Sequence, residues 1–422
     1  DGQLAKPGIT EKIEIVAMAF KNFKNSQVTM KDLKTIKDDK AELHKRLKDL
    51  NESLNRLLHK QAEGQKYEYW LQTHQPFHWF AEFYEIVHGN KGFDIIIGNP
   101  PYVEYSKVRN EYTVKNLQTE KCGNLYPFIV EQVSKILNHN GTKGFIIPLS
   151  GFCTQRMEPF VQLCSKETRT HWVSHYGWRP ATLFEGVNIP LSIIISSSKN
   201  GKAQISVTEY HKWYQEKRDV LNELISYNSS DGLIKHPFVL PKIANEYNSI
   251  FRKMFQIHSN LGRYVSKTNH CLYYRNTGGL YWRIILDFKP KFVLNGKKAD
   301  SSTLTTLCFN TEENMKLAVA FLNSNLFWLY YVGYSSFHHV NPIDLTSFPV
   351  SFENMHVALK EKLLNLSDKL MHDMNSNSIL QTRIHKGGNN SQSQTFYPSL
   401  SKHIVDEIDR ALAEYYHFDN EE

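Results

Sequence analysis

The feature that most constrains the fold is a short strand and the loop that follows it. Phe93-Asp94-Ile95-Ile96-Ile97 is a β-branched run of the kind buried in a parallel sheet. It runs into Gly98-Asn99-Pro100-Pro101-Tyr102. Proline fixes φ and has no N–H, and the residue before it is pushed out of the helical region. Two prolines in series therefore make a stiff, extended loop rich in acceptors and poor in donors. At the carboxyl end of a parallel strand, such a loop lies where α/β sheets bind ligands.

The neighbouring segments fit that frame. Leu125 to Leu137 has helical spacing and Asn140-Gly141 reads as the turn that closes it. Gly144 to Pro148 reads as a buried strand, Glu158 to Glu167 as a helix, and Trp172 to Tyr176 and Leu191 to Ser196 as strands. Strands alternating with helices imply an α/β sheet. Ahead of it, Leu33, Ile36, Leu43, Leu47, Leu50, Leu54 and Leu57 form one apolar stripe along a long helix, to which no chemistry is assigned. Beyond Val207 the alternation fades. Phe292 to Leu294 and Thr303 to Phe309 read as strands, and Asn314 to Leu322, Met355 to Met371 and Lys402 to Tyr416 as helices. Asn375 to Gln394 reads as a polar, mobile loop. With 422 residues there is room for two or three domains. The expected division is a helical segment 1–68, an α/β domain 69–205, a connector 206–240 and a mixed α+β domain 241–422.

The loop suits one chemical task. If the Asn99 side-chain oxygen and the Pro100 carbonyl each accept one hydrogen of the exocyclic amino group of adenine, the nitrogen moves toward a tetrahedral shape. Its lone pair then faces an incoming methyl group. Catalysis of this sort is positioning and preorganised polarisation, without a nucleophilic side chain. Tyr102 can stack on the base once it leaves the duplex. The catalytic candidates are therefore Asn99, Pro100, Pro101 and Tyr102, and a plain strand-to-loop turn is the competing reading.

Composition adds a partner. The net charge of +7 permits a polyanion without demanding one. Pro241 to Ser301, however, holds 11 Lys or Arg against 3 Asp or Glu, together with ten aromatic residues. Cations for phosphates interleaved with rings for bases are what a nucleic-acid surface needs. Arg275, Arg283, Lys289 and Lys291 are candidate DNA contacts, arginine for reading guanine and lysine for positioning. The His338-His339 pair is expected near DNA phosphate. Adjacent histidines on one strand would point to opposite faces, and no Cys or carboxylate stands at ligand spacing, so no metal is assigned. Trp213 and Tyr214 read as packing residues of the connector, with a second stacking face as the alternative. The five cysteines, Cys122, Cys153, Cys164, Cys271 and Cys308, include no C-x-x-C, which argues against a disulfide scaffold or zinc knuckle and for a cytoplasmic setting. The sequence contains no signal-peptide pattern and no apolar run long enough to span a membrane.

The run Phe93 to Val103 resembles motif IV of the gamma-class adenine-N6 DNA methyltransferases, in particular the type IIG restriction-modification and phage-defence methylases. Pro76-Phe77-His78-Trp79 through Glu82-Phe83 is similar to their lead-in, and Asn124-Leu125-Tyr126 with Phe128 to their next motif, although Asp is commoner than Asn124. Gly144 to Pro148 and Leu183-Phe184-Glu185-Gly186-Val187 resemble later strands and a connecting loop. Tyr273-Tyr274-Arg275, Gly278-Gly279, Tyr281-Trp282, and Phe337 through Pro342 with Phe348-Pro349 look like a target-recognition domain. The ending Ile408-Asp409 through Tyr415-Tyr416 resembles a closing helix. The resemblance implies part of a Rossmann-like S-adenosylmethionine (SAM) methyltransferase sheet, a flipped adenine as substrate, double-stranded DNA as partner and SAM as cofactor. Asn99 would lie against the cofactor. Phe184 either lines the cofactor or base pocket or packs in a core.

The family's cofactor turn is not found. Residues 1–92 contain only Gly2, Gly8, Gly64, Gly89 and Gly92, with no Gly-x-Gly, and such a turn is needed so that backbone can approach SAM. No Asp followed by an E-x-K pattern, as a fused nuclease requires, is present either. The expectation is a methyltransferase fragment that binds SAM poorly, with the Gly-rich turn on a missing N-terminal segment or a separate subunit. Two other readings stand beside it. One is a DNA-recognition module with no activity of its own. The other is a methyltransferase acting on cytosine N4, RNA or a glutamine side chain, the first disfavoured because such enzymes carry Ser where Asn99 stands.

Overall fold

In the computed structural model the leucine stripe pairs with a second helix. The structure describes residues 8–60, 64, 66–111, 113–198, 204–277, 282, 284–385, 388–419 and 422. Helix α1 (Ile9–Val28) packs on α2 (Leu33–His59), burying Ile9, Val16, Ala19, Leu43, Leu50 and Leu54, with Leu47 and Leu57 partly covered. Leu33, at the head of the expected stripe, is exposed. It follows the N-cap Asp32, whose carboxylate accepts from the Lys34 and Thr35 N–H groups at 3.0 Å. Short helices α3 (Tyr67–His74) and α4 (Trp79–Glu82) lead to strand β1 (Phe93–Gly98).

The α/β part follows. Helix α5 (Leu125–Ile136) runs directly into strand β2 (Leu137–Pro148). Then come α6 (Glu158–Lys166), β3 (Arg169–Tyr176), β4 (Leu191–Ser198), β5 (Gln204–His211) and β6 (Asn228–Ser229). The sheet order is β1-β2-β4-β3-β5-β6, and β1 is parallel to β2. Two expectations are corrected here. Asn140-Gly141 does not close a helix. It lies inside β2, where the register slips so that Phe93 faces Leu137 while Ile95 faces Thr142. Gly141 permits the slip, because a Cβ there would stand 2.7 Å from the Phe93 carbonyl oxygen. Nor is β1 a buried central strand. It ends the strand order, and Ile95 and Ile97, on one face, are 68% and 79% exposed.

The chain divides into two compact units, Asp1–Phe145 with Thr168–Thr170 and Ile195–Lys202, and Ile146–Glu167 with His171–Ile194 and Ala203–Glu422. The second unit continues with α7 (Asn248–Met254), β7 (Val265–Arg275), β8 (Ile285–Leu286), β9 (Phe292–Leu294), β10 (Lys297–Lys298) and β11 (Leu304–Phe309). Helices α8 (Glu312–Leu322), α9 (Asn325–Tyr334), α10 (Pro342–Thr346) and α11 (Val357–Ser376) follow, then β12 (Ile379–Ile384), β13 (Asn390–Thr395) and α12 (Lys402–Tyr416). Two small sheets result, of order β11-β7-β8 and β10-β9-β13-β12. Helices α8, α9, α11 and α12 build the main core around Phe321, Phe327, Tyr331, Leu363 and Leu412. The buried Asn323 amide ties this core to the first small sheet, donating to the Ile285 carbonyl at 2.8 Å and accepting from its N–H at 3.1 Å.

Two further expectations fail in this unit. The segment 375–394 is not a mobile loop: apart from Lys386 and Gly387, outside the described residues, it holds the end of α11 and the hairpin β12–β13, paired from Ile379↔Thr395 to Ile384↔Asn390. Every residue of β12 is exposed, so no apolar alternation marks it as a strand. Cys271 and Cys308, directly opposed on β7 and β11, form a disulfide, a pairing that their separation in sequence hides. Among the described residues no helix is long and apolar enough to cross a membrane.

Candidate active site

The Asn99 loop is held from below by the start of α5. The Leu125 N–H donates to the Val103 carbonyl at 3.0 Å, and the Tyr105 N–H to that of Gly123 at 2.9 Å. Asn124 stands at the N-cap of α5 without capping it. Its amide nitrogen donates to Glu104 at 3.2 Å, binding the loop to the helix instead. The Tyr105 ring packs edge-on against Phe128 at 5.5 Å, and its hydroxyl accepts from the Val114 N–H at 2.9 Å. Below, buried Glu131 accepts from the N–H groups of Gln118 and Thr119 and the Thr119 hydroxyl at 3.0, 2.9 and 2.8 Å, fixing the segment between loop and helix. None of these ties is visible as a motif, since each depends on what lies opposite in space.

On this base Pro100 is buried, while Asn99 and Pro101 face solvent. Asn99 is thus not turned into the core. Its Oδ1 accepts from the Tyr102 hydroxyl at 2.7 Å, and the half-buried Tyr102 ring meets Tyr126 edge-on at 6.4 Å. Burial pushes the Tyr102 hydroxyl up to about 12, so at neutral pH the phenol stays protonated and is a donor. A donor beside the amide fixes which end faces it: the oxygen. That oxygen keeps a second lone pair for an incoming N–H. Among the described residues nothing donates to the Pro100 carbonyl.

The other candidates lie in the second unit. Phe184 is half-buried, with its carbonyl accepting from the Thr182 hydroxyl at 2.8 Å. Arg218 donates to the carbonyls of Thr182 and Leu183 at 2.6 and 3.1 Å and stacks over Trp213. Trp213 itself is buried and packs with Tyr176, Ala181 and Leu221, whereas Tyr214 is exposed. Arg275, Lys289 and Lys291 come together around one cavity. Arg283 lies outside the described residues. His338 and His339 are exposed, but they sit in a bend after α9, not on a strand. Their rings meet at 4.4 Å instead of facing opposite ways.

A SAM cradle needs a strand, a Gly-rich turn and a helix N-terminus. Among the described residues ahead of β1 there are helices and no strand, so those residues do not form such a cradle.

Residues 11–180 match the model of the Eco57I restriction-modification methylase family. A curated relative, the "Putative type II restriction enzyme and methyltransferase RM.MjaORFECS2P" of Methanocaldococcus jannaschii, is 33% identical over 141 residues, 32% of this chain and 11% of the relative. Among solved structures, the type IIL restriction-modification enzyme MmeI in complex with DNA aligns at a TM-score of 0.44 and 10% identity, over 77% of this chain and 55% of that one. A nuclease-deletion mutant of the type ISP enzyme LlaGI with a DNA substrate mimic aligns at 0.37 and 9%, over 76% and 48%. The chain thus spans about half the length of these solved relatives. Over residues 11–180 it carries the sequence pattern of the Eco57I restriction-modification methylases.

Proposed function

We propose that this chain grips and reads DNA within a site-specific adenine-N6 DNA methyltransferase of restriction-modification or phage-defence type. The observation that carries the reading is an exposed amide oxygen, held as an acceptor by a neutral phenol, at the carboxyl end of a parallel strand. In this reading Asn99 Oδ1 and the Pro100 carbonyl each take one hydrogen of a flipped-out adenine amino group. Pro101 keeps the loop extended and the Tyr102 ring stacks on the base. Arg275, Lys289 and Lys291 belong to the DNA-contacting unit, with Arg283, His338 and His339 as further contacts. The methyl donor, SAM, is held by a segment or subunit bearing the Gly-rich turn. The exposed Ile95-Ile97 face of β1 is apolar surface on which such a part could pack.

The test is DNA methylation by the complete enzyme with isotopically labelled SAM. Asn99→Ala should lower kcat by about a hundredfold or more, the usual loss when a preorganised transition-state contact is removed, while duplex binding persists. Undiminished methylation by the variant, or a product methylated on cytosine, RNA or glutamine, removes the adenine assignment.

A second reading, a DNA-recognition module without activity of its own, draws on the absence of a cofactor cradle among the described residues. Methylation by the complete enzyme separates the two: loss of methyl transfer in Asn99→Ala with duplex binding intact excludes the pure module, and undiminished transfer favours it.

A further inference from the structure

A cavity of about 420 Å³ opens in the second unit, walled by β7 and β8 on one side and by β9, β12 and β13 on the other. Arg275, Lys289, Lys291, Arg383 and His385 all line it, and Asp300 is the acidic residue among its walls. Asp300 is already paired with Lys289 at 2.6 Å. Among the described residues Arg275, Lys291 and Arg383 form no ion pair, so three positive side chains share one cleft unopposed. Like charges brought together without a counter-charge repel, and an anion in the cleft relieves that repulsion.

We infer that this cleft is a phosphate site that holds the backbone of one strand of the DNA substrate, with Arg383 of the β12–β13 hairpin as a contact residue. The inference deepens the proposed function and rests on its DNA-binding half. The cavity is too small for a double helix but large enough for a nucleotide unit. Its cations come from three separate stretches of chain, the end of β7, residues 289–291, and β12. That arrangement suits an extended polyanion better than one small ion. The rings of Tyr273, Phe292 and Phe396, also in the lining, offer the attached sugar and base an apolar surface. A free nucleotide presents the same phosphate chemistry, so the test must separate the two sources.

The experiment is fluorescence anisotropy of a labelled duplex with the whole chain, titrated across potassium chloride, for the unmodified protein and for Arg383→Ala. Arg383 is exposed and unpaired, and Lys291→Ala serves as a second variant should the first fail to fold. Releasing one phosphate from the protein makes the slope of log K against log salt shallower by about 0.9, so the Arg383→Ala slope should fall by that amount. Adenosine monophosphate at millimolar concentration should not displace the duplex. An unchanged slope in both variants, with the duplex still bound, overturns the cleft and leaves the DNA reading standing. Displacement by the free nucleotide overturns the backbone assignment in favour of a mononucleotide site. Failure of the unmodified chain to bind duplex removes the DNA reading and the cleft together.

Discussion

In the proposed methyl transfer the Tyr102 hydroxyl makes a specific demand. It donates to Asn99 Oδ1 and stays protonated because burial raises it, so it orients that oxygen as an acceptor. Tyr102→Phe keeps the ring and removes the donor. In the complete enzyme kcat should fall about tenfold, the equivalent of one hydrogen bond, with KM for DNA unchanged. Steady-state methylation kinetics check this, and an unaltered kcat would leave the hydroxyl without a role. The identities of Asn99 and Tyr102 were legible because prolines fix the loop between them. Their mutual hydrogen bond was not, because a side chain three residues on can point several ways from an extended loop.

Elements carry a different kind of demand, close backbone approach and burial of polar groups. Gly141→Ala would put a Cβ 2.7 Å from the Phe93 carbonyl oxygen and 2.9 Å from the Leu137 Cδ1. The β1–β2 register would have to shift, at about 1–3 kcal/mol. Urea denaturation of the variant should show that loss, and a stability equal to the parent would mean the bulge relaxes freely. Glu131→Ala leaves the N–H groups of Gln118 and Thr119 and one hydroxyl without their acceptor. About 3 kcal/mol of destabilisation is expected, and amide exchange should rise at Gln118 and Thr119. Unaltered protection there would show that the carboxylate is not what holds the segment. Periodicity located α5, α6 and α12, whose apolar faces are buried, and short apolar runs located β1, β2, β3, β4, β9 and β11. They missed β12, whose residues are all exposed, since pairing on one edge leaves no pattern of burial.

For the molecule as a whole, buried histidines set a pH limit. His175 is fully buried, hydrogen-bonded through Nδ1 to the Ser192 hydroxyl at 2.8 Å. Burial first, then the charges of Lys242 and His211, lower its pKa well below the usual 6.5, and burial lowers that of His211. Both are neutral in the folded protein, while an unfolded chain takes up protons once pH falls below about 6.5. Stability from these groups is therefore complete above that value and is lost progressively as pH falls from it toward the lowered folded values. Tm by circular dichroism should drop between pH 7.5 and pH 5.5, and less so in His175→Gln. A flat profile would mean other groups compensate.

Local sequence determined the α/β class, the strand that empties into Asn99, the long helix with its apolar stripe and the basic, aromatic character of the later domain. Backbone restriction by proline and periodic burial of apolar side chains act over a few residues and leave their mark in order along the chain. Only the tertiary structure decided that β1 is an edge with exposed isoleucines, that Cys271 meets Cys308, that Glu131 anchors the loop before α5, and that Arg275, Lys291 and Arg383 share one cleft. Each of those depends on which distant segments are neighbours, and pairing across a fold is set by the packing of whole elements rather than by any short run of residues.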